Sequence, residues 1–209
     1  MRPYQIMAGP AMNSIRSAFA TALAVAALLG GCSAAPSDPP LAGARIGGPF
    51  TLTDQNGNTV RDKDFAGKYR IVYFGYTYCP DVCPTEMQHL MQGFAQFKKA
   101  HPALAKQVVP MFITVDPGRD TPERVGEFTR AFSDDLLGLT GTTEQVAQAS
   151  KAFLITVEKG EPNSAGGYLV NHSTQAYLMG RKGEPMALVP VDANDQGASV
   201  KASLEKWVS

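Results

Sequence analysis

The hydrophobic positions along this chain fall into short apolar runs that alternate with segments of helical spacing. Residues 71–76 (IVYFGY) and 108–115 are apolar and rich in β-branched and aromatic side chains, which is typical of strands buried on both faces. Between them, residues 84–100 place apolar side chains three and four positions apart, which predicts an amphipathic helix. This alternation predicts an α/β fold with a central sheet flanked by helices.

Antiparallel elements and further helices surround that centre. An Asn-Gly turn signal within residues 50–60 predicts an N-terminal β-hairpin. Residues 155–170 predict an insertion hairpin around a loop rich in Gly, Pro and Asn, and residues 174–191 predict a third hairpin. Residues 136–140 predict a short strand. Further helices are predicted over 122–132, 142–153 and 198–208, the first with Thr121 as its N-cap and Pro122 as its first residue.

The N-terminal residues have the pattern of an export signal. An uncharged apolar run over residues 18–29 follows Arg16 and is too short to span a membrane as a mature helix. It ends in LGGC at residues 29–32, which resembles the lipobox of bacterial lipoproteins. That resemblance implies a lipoprotein signal peptide over residues 1–31 and a diacylglycerol on Cys32. The alternative is a secreted protein in which Cys32 has no such role.

Lipidation at Cys32 would tie the protein to a membrane on the periplasmic side of the cell envelope. Residues 32–48 are rich in Ala, Pro and Gly and are expected to form a flexible, lipid-anchored tether, with the folded domain over 49–209. Ser33 follows the cysteine where an aspartate would signal inner-membrane retention, so the choice between inner and outer membrane stays open. Nineteen basic residues balance nineteen acidic ones, and no basic excess indicates a nucleic-acid partner.

The chemistry of the chain is expected at the turn CPDVCP, residues 79–84. Proline ends the preceding strand, and Pro84 suits the first residue of the following helix. Cys83 then lies close to a helix N-terminus, a position that we expect to lower the pKa of a thiol. A thiolate pair is a soft donor set suited to copper(I), zinc or iron–sulfur chemistry. With Cys32 lipidated, Cys79 and Cys83 are the remaining pair in an oxidising compartment.

A copper site needs a third donor, and three histidines are available. His101 is expected to be a solvated helix cap, and His89 is expected to point away from the turn. His172 follows a predicted strand and precedes Ser173 and Thr174. A cysteine pair at the end of the first βα unit indicates a thioredoxin-like fold, which brings a second segment of chain onto its cysteines. His172 is therefore the favoured third donor.

Three separated segments resemble the Sco/SenC family. They are FGYTYCPDVCP at 74–84, DPGRDTPE at 116–123 and YLVNHS at 168–173. The resemblance implies a membrane-tethered, thioredoxin-like copper chaperone that assists assembly of the CuA centre of cytochrome c oxidase. It implies copper(I) and copper(II) as the cargo, with Cys79, Cys83 and His172 as the ligands. The implied partners are the CuA-bearing oxidase subunit and other periplasmic copper chaperones.

One residue departs from the family pattern. Asn171 stands where the family has an aspartate before the histidine, and the missing charge is expected to weaken copper(II) binding or to change electron transfer. Asp81 is a candidate for supporting the metal ligands. Asp116, Arg119 and Asp120 have two interpretations, partner docking or support of the site on one hand, and ordinary turn and cap chemistry on the other.

Other functions use the same cysteines. A periplasmic thiol–disulfide reductase acting on the oxidase subunit or on other exported thiols is the main alternative, and a peroxidase is a third hypothesis. Thioredoxin-type reductases carry a cis-proline before the strand that faces the cysteines. Here that place falls on residues 172–174, which contain no proline. This favours metal binding over general dithiol exchange. A purely structural alternative is a Cys79–Cys83 disulfide that only fixes the turn, which would require no role for His172.

Overall fold

The computed structural model describes residues 38–162, 164 and 167–209, and within these ranges the chain forms nine strands and five α-helices. The strands are β1 (Thr51–Asp54), β2 (Thr59–Arg61), β3 (Tyr69–Gly75), β4 (Val108–Thr114), β5 (Leu137–Thr140), β6 (Val157–Lys159), β7 (Val170–His172), β8 (Ala176–Met179) and β9 (Pro185–Val189). The helices are α1 (Val82–Ala100), α2 (Pro102–Ala105), α3 (Pro122–Arg130), α4 (Thr143–Ala152) and α5 (Ala198–Trp207). A 3₁₀ helix spans Asp62–Phe65. The predicted signal peptide and the lipidation site at Cys32 lie outside the described residues.

The central sheet is mixed and has the strand order β2-β1-β5-β4-β3-β8-β9. Strands β3, β4 and β5 are parallel, and β8 and β9 continue the sheet in antiparallel pairing on the side of β3. β1 joins the other side antiparallel to β5. Strands β6 and β7 form a separate two-stranded sheet. The predicted α/β architecture with an N-terminal hairpin and an insertion hairpin is confirmed.

β3 lies at the centre of the core, and every one of its residues is buried. β4 and β8 pair with its two edges. A strand in this position has apolar residues on both faces, rather than alternating apolar and polar residues. The amphipathic helix α1 turns its apolar side to the core. The largest fully buried side chains include Tyr73, Phe74, Phe97, Phe112 and Phe153. The end of this well-packed strand therefore gives the following turn a fixed position.

Helix α1 begins at Val82, two residues earlier than predicted. Pro84 is its third residue rather than its first. Proline is tolerated there because the N–H groups of the first helical turn have no partner within the helix. For α3, the prediction is confirmed: the Thr121 side chain accepts a hydrogen bond from the Arg124 N–H, and Pro122 opens the helix.

The tether predicted up to residue 48 is too long, because Pro39–Ser209 forms one compact unit. The Leu41 N–H donates to the Met186 carbonyl oxygen at 3.0 Å, and the Gly47 N–H donates to the Ala152 oxygen at 2.8 Å. Leu41 and Ile46 also pack against the core. These two large apolar side chains attach the segment to the core, although its average composition is that of a linker. Among the described helices, none is long and apolar enough to cross a membrane.

Candidate metal centre

The turn after β3 brings the two cysteines together. The Cys79 N–H donates to the Tyr76 oxygen at 3.2 Å, and α1 begins three residues later with Asp81 at its N-cap. Cys83 is the second residue of α1, so its N–H has no partner within the helix. That N–H donates to the Sγ atom of Cys79 at 3.4 Å. The helix N-terminus is thus directed at the sulfur of the first cysteine.

Cys83 is fully buried, whereas Cys79 is partly exposed, and both are free thiols. A Cβ atom placed on Gly75 would lie 3.2 Å from the Cys83 sulfur, so the glycine at the end of β3 gives the thiol its space. Burial raises the pKa of the Cys83 thiol well above its usual range. The predicted lowering of its pKa is therefore wrong, because the loss of solvation is the largest influence on this thiol.

His172 ends β7 and faces the buried thiol. Its Nε2 atom lies 3.4 Å from the Cys83 Sγ, and its Nδ1 atom lies 2.9 Å from the Ser173 carbonyl oxygen. A carbonyl oxygen only accepts, so the proton sits on Nδ1 and the Nε2 lone pair faces the cysteine. Burial lowers the pKa of His172, which favours the neutral ring. Tyr76 contacts the imidazole edge-on, with 5.8 Å between ring centroids.

A cleft of about 300 Å³ opens beside Cys79 and His172. Its lining comes from the cysteine turn and from β7 and the residues beside it. The lining includes Tyr76, Cys79, Asp81, Val82, Leu169, Asn171 and His172. Asp81 and Asn171 are exposed, and Asn171 lies opposite Glu158 across the hairpin. Asp81 and Asn171, which the sequence placed next to the predicted ligands, thus line the same cleft as Cys79 and His172.

The three predicted donors are gathered without forming a closed coordination sphere. In the part of the chain that the structure describes, no three His, Cys, Asp or Glu residues are arranged to hold a metal ion. The other two histidines are engaged elsewhere. His89 Nδ1 lies 3.0 Å from the Val191 oxygen, and His101 Nε2 lies 2.9 Å from the Glu205 carboxylate.

Asp120 supports the cysteine turn from the segment after β4. It is fully buried and accepts hydrogen bonds from the Thr77 N–H at 3.0 Å, the Thr77 hydroxyl at 2.6 Å and the Thr114 hydroxyl at 2.6 Å. Burial raises the pKa of its carboxyl group despite these bonds. Asp120 therefore anchors the residue that stands two positions before Cys79.

Asp116 and Arg119 connect the cysteine turn to the segment that leads into β7. Asp116 forms an ion pair with Arg119 and accepts a hydrogen bond from the Tyr168 hydroxyl at 2.8 Å. The Arg119 guanidinium donates to the Tyr168 carbonyl oxygen at 3.0 Å and stacks on the Tyr168 ring, 3.6 Å from its centroid. It also lies 4.9 Å from the Tyr78 ring. This cluster holds together the two segments that carry the cysteines and the histidine.

An acidic residue that the sequence patterns did not single out lies close to the buried thiol. Glu86 is only 5% exposed, and its Oε2 atom has no hydrogen-bond partner among the described residues. The buried Tyr73 hydroxyl lies near both the Glu86 carboxyl and the Cys83 thiol without reaching hydrogen-bond geometry with either. Burial raises the pKa of Glu86. Its position three residues after Cys83, on the apolar side of a helix, was the available signal.

The fold and the site together define a thioredoxin-like protein in which a cysteine pair faces a histidine. The family model described as SCO1/SenC matches residues 38–209. The chain belongs to the SCO1/SenC family, as the three sequence segments predicted.

Similar proteins come from bacteria and mitochondria. Protein SenC of Rhodobacter capsulatus is 43% identical over 145 residues, which cover 68% of this chain and 62% of SenC. The human mitochondrial SCO1 homolog is 38% identical over 139 residues, which cover 66% of this chain and 46% of that protein. The chain thus spans about half the length of the curated relatives it matches.

Copper-bound proteins are among the solved structures with the same fold. The copper-bound structure of Bradyrhizobium japonicum ScoI superposes with a TM-score of 0.70 at 35% identity, covering 78% of this chain and 99% of that one. Copper-bound yeast Sco1 gives a TM-score of 0.67 at 34% identity, covering 77% and 87%. The thioredoxin-like fold is thereby confirmed, and copper is confirmed as the metal of the family.

Proposed function

We propose that this protein is a copper-binding assembly factor for cytochrome c oxidase that holds copper through Cys79, Cys83 and His172. The observation that carries this proposal is the 3.4 Å approach of the His172 Nε2 atom to the Cys83 sulfur, with the imidazole proton held on the opposite nitrogen. His172 and Cys79 line one cleft, and the Cys83 thiol lies against the His172 lone pair, so the three side chains supply the donor types that copper prefers. Membership of the SCO1/SenC family supports the same metal.

The donor set suits both oxidation states of copper. Two thiolates favour copper(I), and an imidazole extends the range to copper(II). Because burial holds His172 neutral, no proton needs to leave the ring before it binds. Cys83 differs, since its raised pKa keeps it protonated at neutral pH. Copper uptake is therefore coupled to proton release from the buried thiol.

The proposed recipient is the CuA-bearing subunit of the oxidase, and other periplasmic copper chaperones are the proposed donors. Lipidation of Cys32 would place the domain on the periplasmic side of the membrane, within reach of that subunit. Cys79 supports a direct transfer because it is partly exposed at the cleft, whereas Cys83 is buried beneath it. An incoming ligand would therefore meet Cys79 before Cys83.

The ligand assignment is tested by comparing His172→Ala with His89→Ala. Both changes remove an imidazole that contacts a backbone carbonyl, but only His172 faces the cysteines. We expect reduced His172→Ala to keep copper(I) and to lose tight copper(II) binding, with no change in His89→Ala. Stoichiometric copper(II) retained by His172→Ala would overturn the assignment.

A thiol–disulfide reductase is the second candidate, favoured by the contrast between a partly exposed Cys79 and a buried Cys83. In such a reaction the Cys79 thiolate attacks a target disulfide and releases one target thiolate. The Cys83 sulfur then displaces the other, which leaves a Cys79–Cys83 disulfide and a fully reduced target. We expect Cys83→Ser to trap the mixed disulfide. Reduction that needs His172 as strongly as copper binding does would contradict an independent reductase role.

A further inference from the structure

A second cleft, of about 550 Å³, lies between α4, the residues after β4 and the segment that leads into β6. Its volume falls within the range of about 300–1,000 Å³ that is common for small-ligand sites. Its walls are mainly apolar, with hydroxyl groups between them. The apolar lining includes Val115, Val146, Ala147, Ile155 and Val157. We propose that this cleft, named here the α4 cleft, binds a small amphipathic carboxylate, a molecule with an apolar body and one anionic head.

An unsatisfied hydroxyl in the wall of the α4 cleft points to a polar ligand group. Ser150 is only 5% exposed, and its Oγ atom has no hydrogen-bond partner among the described residues. A buried hydroxyl without a partner costs about 1–3 kcal/mol. Ser150 lines the cleft but its Oγ atom is closed off from solvent, so a turn of the side chain about χ1 would bring the hydroxyl to a ligand oxygen placed there.

The charge in the α4 cleft selects an anion. Lys151 lines the cleft next to Ser150, and it has no salt-bridge partner within residues 38–162, 164 and 167–209. No acidic side chain belongs to the described lining. A carboxylate head therefore meets one ammonium and one hydroxyl donor, which favours it over a neutral or cationic head.

Apolar side chains at the rim of the α4 cleft are exposed to solvent. Leu154 follows α4 with φ at +56°, a left-handed conformation that glycine usually takes at a helix end, and its side chain is 61% exposed. The Ile155 N–H donates to the Ser150 oxygen at 2.8 Å and fixes this turn. Val157 is 40% exposed on β6. An apolar ligand body in the cleft would cover these side chains.

The site is tested by calorimetric titration of the full metal-free chain with 4-phenylbutyrate, and with 4-phenylbutan-1-ol as the uncharged probe of the same body. We expect the carboxylate to bind several-fold more tightly than the alcohol. Lys151→Gln should weaken carboxylate binding by about threefold to fivefold, the range of a partly exposed ion pair. Lys99→Gln, an exposed lysine on α1, should leave it unchanged.

Two further variants separate binding from folding. Ala147→Trp, at an exposed position of the lining, should block the cleft and abolish binding. Ser150→Ala should weaken carboxylate binding while the thermal midpoint stays equal or rises, because it removes an unsatisfied buried group. Equal affinity for the two probes, or binding unchanged in Ala147→Trp, overturns the proposal. A dimer of the metal-free chain that Ala147→Trp dissociates would assign the cleft to a second copy and also overturns it.

Discussion

Asp120 accepts hydrogen bonds from both the backbone N–H and the hydroxyl of Thr77, at 3.0 and 2.6 Å, although 43 residues separate the two in the chain. Thr77 stands between the central strand and Cys79, and Asp120 lies in the segment that leads from β4 into α3. The pair therefore fixes the cysteine turn against the neighbouring strand of the sheet. The turn is held by a buried carboxyl in addition to its own prolines.

Replacing Asp120 with alanine should destabilise the fold. The change leaves the Thr77 N–H and two threonine hydroxyls without their acceptor in a buried place. We expect the free energy of unfolding to fall by about 2–4 kcal/mol in urea titrations. Asp135→Ala is the matched control, because Asp135 forms an exposed pair with Lys98 whose loss costs less than about 1 kcal/mol. Similar losses in both variants would show that Asp120 does not anchor the turn.

Glu86 should make stability depend on pH. Burial raises its pKa in the folded state above that of the unfolded chain, so the folded protein binds this proton more tightly. The contribution to stability is fully present below the unfolded pKa of about 4.3 and is lost as pH rises through the folded pKa. We expect Glu86→Gln to gain stability relative to the parent between pH 4 and 7, by about 1.4 kcal/mol for each unit of pKa difference.

The measurement for Glu86 is the free energy of unfolding from urea titrations at several pH values. Glu127→Gln provides a control at an exposed glutamate of α3. A difference between Glu86→Gln and the parent that stays constant with pH would contradict the burial argument.

Asn171→Asp should shift the copper redox couple. A carboxylate next to His172 stabilises copper(II), so the reduction potential of the copper-loaded protein should fall. Residue 171 lies opposite Glu158 in the hairpin, and two like charges there should cost about 0.2–1 kcal/mol of stability. Protein-film voltammetry measures the potential, with Asn171→Ser as the neutral control. An unchanged potential would mean that the departure from the family pattern has no effect on the metal.

Gly93→Ala should destabilise the contact between α1 and α5. A Cβ atom at position 93 would lie 2.5 Å from the Gly197 carbonyl oxygen and 2.5 Å from the Val200 Cβ. Such overpacking costs about 1–3 kcal/mol, measurable as a lowered urea midpoint. At Gly118 a Cβ would meet nothing closer than 3.9 Å, so Gly118→Ala is the control. Equal midpoints for the two variants would contradict the close packing of the helices.

The sequence predicts most of the fold because its patterns are local. The apolar run of β3, the Asn-Gly turn of the first hairpin and the Thr121 cap each depend on a few adjacent residues. The tether was misjudged because its composition is that of a linker, whereas two side chains, Leu41 and Ile46, attach it to the core. Such an attachment depends on a distant surface that local composition does not report.

The sequence identified the residues of the candidate site, but it did not predict their burial or the resulting pKa shifts. The CPDVCP turn and the family resemblance singled out Cys79, Cys83 and His172. Cys79 and His172 line one cleft, and the buried Cys83 contacts both of them. The pKa of Cys83 was predicted in the wrong direction, because the helix N-terminus is visible in the sequence while complete burial is not. Glu86 carried one signal, its position on the apolar side of a helix three residues after Cys83, but its burial was not visible in the sequence.

The central claim is that one copper ion binds to Cys79, Cys83 and His172 of the reduced chain. X-ray absorption spectroscopy of the chain loaded anaerobically with one equivalent of copper(I), which His172→Ala is also expected to hold, tests this most directly. We predict two sulfur neighbours and one imidazole nitrogen, with one sulfur lost in Cys79→Ser or Cys83→Ser and the imidazole signal lost in His172→Ala. A copper ion with fewer than two sulfur neighbours, or an imidazole signal that persists in His172→Ala, would contradict the account.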